Sequence, residues 1–133
     1  MSETDYRFDG LDEWEKRLSE IIESRYPEEF RRMVIDLAGQ LEGRVKGRTP
    51  VDTSRLKNAW RIGDIRKRGS EYYIEVYNNV EYAEPVEHGH RKRGGSGFVP
   101  GAHMMELSLQ EVQKRLPGYL REWMADFLDT HEL

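Results

Sequence analysis

Seven apolar residues between Phe30 and Val45 constrain this chain more than any other feature. Phe30, Met33, Val34, Leu37, Ala38, Leu41 and Val45 fall at offsets of 0, 3, 4, 7, 8, 11 and 15, at least one in every helical turn. Only an α-helix gathers such positions onto one face, and a face of that length must be buried against another element. Pro27 stands where this helix would begin. Glu28 and Glu29 fall in its first turn, where carboxylates complement the helix dipole. Gly39, Gly43 and Gly47 recur every fourth residue along it. Each costs about 0.5–1 kcal/mol against Ala. Their spacing predicts either the close approach of a second backbone or fraying toward Pro50.

Other elements arrange themselves around that helix. Residues 1–10 carry no helical period and are expected to be flexible. Asp9 or Asp12 can cap a shorter helix with Leu11, Trp14, Leu18, Ile21 and Ile22 on one stripe. Thr49-Pro50-Val51-Asp52 breaks the long helix, and Asp52 or Thr53 caps a short one running to about Trp60. Arg61–Arg68 reads as a weak strand and Glu71–Asn78 as a strong one, joined by a turn at Gly69-Ser70. Tyr82–Glu87 fits one helical turn closed by Gly89, and residues 90–97 read as a basic, Gly-rich loop. From Ala102 a second long helix carries Met105, Leu109, Val112, Leu116, Tyr119, Leu120, Trp123, Phe127 and Leu128, with Pro117-Gly118 expected to kink or divide it.

This order predicts an α+β fold. A small antiparallel sheet with a β-hairpin is packed by two long helices and by shorter N-terminal and connecting helices. Residues 11–133 are expected to form a single domain. A two-stranded hairpin is rarely stable alone. A further strand is therefore expected from Val99, from the neighbourhood of Val80, or from a neighbouring copy.

Composition narrows the function. The chain has no cysteine, which excludes disulfide staples, thiol catalysis and Cys-based zinc sites. No apolar run approaches the roughly 20 residues of a membrane span. The polar, acidic start does not read as a secretory signal, so a soluble protein used without export, and without a membrane partner, is expected. Charge is segregated. Residues 43–68 hold nine basic and two acidic side chains, whereas residues 69–89 hold five Glu and no Lys or Arg. Alternating patches suit copies that meet head to tail, although solvated faces alone can give the same pattern.

No catalytic constellation emerges, so no enzyme is expected. Glu87, His88, His90 and His103 raise a metal site, but Gly89 interrupts the His-x-His pair and no His-Glu-x-x-His spacing is present. Solvated or packing histidines fit better, and no metal or cofactor is expected. A hydrolase using His88 or His103 lacks a motif. Gly94-Gly95-Ser96-Gly97 lacks the Lys-Ser/Thr of a phosphate loop. The cations from Arg44 to Arg68 and at Arg91-Lys92-Arg93, with Tyr72, Tyr73 and Tyr77 nearby, leave sequence-independent nucleic-acid binding as the alternative function. The acidic balance of the whole chain, net charge −4, argues against a dedicated binder.

Three segments together resemble a known family. Thr49-Pro50-Val51-Asp52-Thr53-Ser54-Arg55-Leu56, Tyr82-Ala83-Glu84-Pro85-Val86-Glu87-His88-Gly89, and Phe98-Val99-Pro100-Gly101-Ala102-His103-Met104 are similar, in order and spacing, to motifs of tail-component proteins of tailed phages and prophages. These are tail-completion and head–tail joining neck proteins. The residues carrying the resemblance are Pro50, Asp52, Thr53, Leu56, Tyr82, Ala83, Val86, Glu87, Gly89 and Pro100. Ser54 departs from the family's usual Gly. The resemblance implies a structural protein of the virion neck or tail, assembled in the host cytoplasm. It also implies a ring, often hexameric, between connector and tail-tube proteins, through which DNA passes. Candidate contacts with copies or partners are Arg66, Lys67 and Arg68 at the hairpin tip. Val86, Glu87, His88, His90, Arg91, Lys92, Arg93, Phe98 and Val99 around the basic loop join them.

Overall fold

A computed structural model of the chain describes residues 12–50, 54–69, 71–92, 94–95 and 97–132. Helix α1 (Glu13–Arg25) is capped by Asp12. Its carboxylate accepts the Glu15 N–H at 2.8 Å while the Glu15 side chain accepts the Asp12 N–H at 3.0 Å. The alternative cap, Asp9, and the flexible stretch 1–10 lie outside the described residues. Tyr26 alone separates α1 from α2 (Pro27–Arg48), which begins on its proline as the sequence predicts.

All seven stripe residues of α2 are buried or half-buried. They pack along α5 (Met104–Thr130), which runs antiparallel to α2. The space between them fills as two separate cores. In one, Phe30 and Met33 meet Leu116, Leu120, Met124 and Phe127, with Ile22 from α1. In the other, Val45 meets Met104 and Met105 together with Leu56, Trp60 and Ala83. Beside the second core a polar clamp joins the two helices. Glu111 accepts from Arg44 at 2.7 Å and from Arg48 at 3.0 Å.

Among the described residues of this chain no second backbone approaches Gly39, Gly43 or Gly47, and the helix does not end at them. A Cβ at each would meet nothing within 4 Å, and the helix continues to Arg48. Pro117 does not divide α5, because Leu116 and Leu120 are both buried and packing outweighs the roughly 3 kcal/mol local cost of an interior proline. The α1 stripe is only half used. Ile22 is buried, but Trp14 and Ile21 are 65% and 52% exposed.

The short helix α3 (Ser54–Asn58) stops before Trp60, which opens β1 (Trp60–Ile62). Its proposed caps, Asp52 and Thr53, lie outside the described residues. Trp60 leaves the helix because its indole is fully buried and donates to Thr49 Oγ1 at 2.9 Å, while Thr49 Oγ1 donates to the Val45 carbonyl at 2.7 Å. One indole thus ties the strand to the C-terminus of α2.

Each predicted strand is broken in two. β1 pairs with β4 (Val76–Asn78), and β2 (Arg66–Arg68) pairs with β3 (Glu71–Tyr73), both antiparallel. Between Ile62↔Val76 and Arg66↔Tyr73, three residues face two, which is a β-bulge at residues 63–65. The extra residue inverts the alternation of the first strand. Trp60 and Ile62 point inward, yet Arg66 pairs with Tyr73 on the outer face and Lys67 turns inward toward Glu23. Tyr72 packs at 5.3 Å from Phe30 in the first core, and Val76 packs on the second. Helix α2, rather than a third strand, therefore covers the hairpin. Among the described residues neither Val99 nor the segment near Val80 joins it.

Helix α4 (Ala83–His88) ends at Gly89, as expected, and leads straight into β5 (Gly89–Arg91), which pairs with β6 (Phe98–Pro100). The stretch expected as a loop is thus a second hairpin. Its turn is closed by the Lys92 N–H to the Gly97 carbonyl at 3.0 Å. No described helix is long and apolar enough to cross a membrane.

Candidate functional site

Residues around Glu87 organise the middle of the molecule. Its carboxylate is 3% exposed and accepts the backbone N–H groups of Met105 at 2.8 Å and Glu106 at 3.1 Å. These are orphan donors in the first turn of α5. The N-cap of that helix, His103, sits at φ 48° and makes no side-chain cap. Glu87 supplies the cap from another helix, with negative charge at the positive end of the dipole. Backbone bonds from Ala102 N–H to the Val86 carbonyl (2.7 Å) and from His103 N–H to the Glu87 carbonyl (3.1 Å) lock the same junction.

Gly89 and Gly101 make that junction possible. Gly89 has φ 90°, which side chains resist. A Cβ there would come 2.6 Å from the Phe98 ring and 2.7 Å from the Val99 carbonyl. A Cβ on Gly101 would strike the backbone of Glu87 and His88. The two glycines let the root of the β5–β6 hairpin press directly on the start of α5.

Other motif residues close the second core from its far side. Arg55 donates two 3.0 Å bonds to Glu81, and its guanidinium lies 5.7 Å from the Tyr82 ring. The hydrogen bonds from Arg55 hold the Glu81 carboxyl below its ordinary range. Asn78 Nδ2 donates to the Leu56 carbonyl at 2.8 Å, joining β4 to α3. Leu56, Ala83 and Val86 all pack in this core.

The family described as "Bacteriophage HK97-gp10, putative tail-component" matches residues 12–89. The chain belongs to that family. No curated protein and no solved structure matches it with significance. In this HK97-gp10-like chain, the residues that carry the family resemblance hold the α3–α4–α5 junction together. Asp52 and Thr53 lie outside the described residues. As a phage tail component, the protein takes its place among other phage structural proteins in the virion.

The expected contact residues separate into two groups. Val86 is half-buried in the second core and Glu87 is spent on α5. Arg66, Arg68, His88, His90, Arg91, Lys92 and Phe98 stand exposed, Val99 is half-buried on β6, and Arg93 lies outside the described residues. Phe98 is 58% exposed and pairs across the hairpin with Arg91. Lys67 reaches Glu23 at 3.7 Å.

The metal candidates regroup. Glu87 and His103 come together with Glu106, their ligand atoms within 4.8 Å of one another, whereas His88 and His90 fall on α4 and β5. Both Glu87 oxygens already accept helix N–H groups, and His103 Nδ1 lies 2.8 Å from Glu106 Oε2. These contacts complete a helix start.

Sequence reasoning singled out Tyr73, Tyr77 and Arg66 on the outer face of the first hairpin but not the hollow they line. A hollow of about 440 Å³ lies there beside the bulge, lined by Gly63, Asp64, Arg66, Tyr73, Glu75, Tyr77 and Asn79. A second hollow, of about 430 Å³, lies beside it and shares Tyr77 and Asn79. The alternation of Tyr73, Glu75 and Tyr77 was the available signal, since it puts all three on one side of a strand.

Proposed function

We propose that the protein is a structural subunit of the phage neck or tail-completion complex, a single domain spanning residues 11–133. It joins copies of itself in a ring, six copies being the number the family resemblance implies, between connector and tail-tube proteins, with DNA passing through. The observation carrying this reading is the family match over residues 12–89. The division of labour among the motif residues supports it. Leu56, Ala83, Glu87 and Gly89 serve the interior, which leaves the exposed hairpins for contacts.

The protein's work is assembly rather than catalysis. The carboxylates with depressed pKa values, Glu15, Glu81 and Glu111, each face an arginine that joins two elements of the fold. Their perturbation has a structural cause. Many cations of the 44–68 stretch are likewise engaged. Arg44 and Arg48 bind Glu111, Lys46 binds Glu42, and Arg55 binds Glu81. This weakens the nucleic-acid-binding alternative.

The test is to delete the gene in the phage that encodes it and examine the particles by electron microscopy. Filled heads and free tails should accumulate unjoined, and the full chain supplied in trans should restore tailed particles. Tailed, infectious particles forming without the protein would refute the reading.

A further inference from the structure

The β5–β6 hairpin and the outer face of the first hairpin are complementary surfaces on different parts of one chain. The first presents Phe98 beside Arg91, a cross-strand pair, with Lys92 next in sequence. Among the described residues, neither Arg91 nor Lys92 has an ionic partner. The second surface presents Tyr73 and Tyr77 on either side of Glu75, over a hollow that also holds Asp64 and Arg66. Among the described residues, Glu75 and Asp64 likewise lack a cation partner.

The geometry points to a second copy of this chain as the occupant of that hollow. The β5–β6 hairpin of one copy seats on the outer face of the 60–78 hairpin of the next. Phe98 lies between Tyr73 and Tyr77, and Arg91 and Lys92 face Glu75 and Asp64. An aromatic residue and an arginine side by side are the residue types that carry most interface energy. Edge-to-face aromatic packing gives the anchor a preferred geometry. Opposite charges fix its orientation. Because donor and acceptor surfaces differ, the contact is heterologous, and repetition closes a ring when the rotation allows it. The inference rests on the ring reading above and adds the surface through which neighbours meet.

Sedimentation velocity on the purified full chain tests it. Arg91→Glu and Glu75→Arg, both at exposed positions, should each weaken self-association at least about tenfold while leaving the thermal melt unchanged. The double variant, which restores an opposite pair, should recover most of the loss. Mixing the two single variants should likewise recover most of the loss, because an alternating array pairs native Arg91 with native Glu75 at one contact and the charge-reversed pair at the next. Cysteine cross-linking gives a second measurement, since the chain has no cysteine of its own. A mixture of Phe98→Cys and Tyr77→Cys copies should form a mixed disulfide, and a mixture of Phe98→Cys with Lys114→Cys should not. Wild-type association that is indifferent to both charge reversals, or a Lys114 cross-link as strong as the Tyr77 one, overturns this contact and leaves the ring standing. A wild-type chain that stays monomeric at every attainable concentration overturns the ring and the contact together.

Discussion

Replacing Glu87 tests the account of how the motif region holds the long helix. In Glu87→Ala, the Met105 and Glu106 N–H groups lose their acceptors, and the Met105 donor is buried. An unsatisfied buried donor costs about 1–3 kcal/mol. Loss of an N-terminal cap typically costs about 0.5–2 kcal/mol. These overlap, because the cap is the hydrogen bonds, so the expected loss is about 2–3 kcal/mol. Glu87→Gln keeps one acceptor oxygen but turns an amide NH₂ toward a donor, and should lose about 1–2 kcal/mol. Urea unfolding at neutral pH reads both as shifts in midpoint at constant slope. In a thermal melt, each kcal/mol corresponds to about 4 °C for a chain of this size. Glu106→Ala, at the exposed neighbour of the same turn, serves as the control and should stay within about 0.5 kcal/mol of wild type. If Glu87→Ala and Glu106→Ala are equally mild, Glu87 is not the cap of α5 and the argument for its burial fails.

Two further outcomes follow from the geometry. Gly89→Ala places a methyl group 2.6–2.8 Å from the Phe98 ring, the Val99 carbonyl and the Gly101 nitrogen at a positive φ. It should destabilise by about 2 kcal/mol or more, and a melt matching wild type would contradict the close approach. Glu111 is held down at about 2, against an ordinary 4.5, by hydrogen bonds first from Arg48 and then from Arg44. A lowered folded pKa gives stability that is present above the unfolded value and lost as pH falls through the folded one. The stability gap between wild type and Glu111→Gln should therefore be constant near neutrality and close between about pH 4.5 and 2; a pH-independent gap would show that the arginines do not favour the charged form.

Much of the frame was legible because helix periodicity is strong over long segments. The α2 stripe, Pro27 at its start, the Asp12 cap and the Gly69 turn all stand where the sequence places them. What escaped notice depends on contacts distant in sequence. The bulge at residues 63–65 fits Trp60 and Tyr72 into two different cores, and Gly63, inside the predicted strand, was its only local signal. The β5–β6 ladder was hidden by the glycines of its turn. Glu87 read as an exposed contact residue because its partners, the N–H groups of Met105 and Glu106, are backbone atoms eighteen and nineteen positions away. The chain's family was legible in three motifs, and the reason for those motifs, a crowded junction at Gly89 and Gly101, became clear only in three dimensions.

Filling α2 and α5 separately toward their two ends, with the Arg44–Arg48–Glu111 clamp beside the second core, makes the pair resemble a beam pinned at both tips. Either tip can fray while the other keeps its grip. Hydrogen exchange should then reveal two tiers of protection along one continuous helix, the higher at the end that carries the clamp.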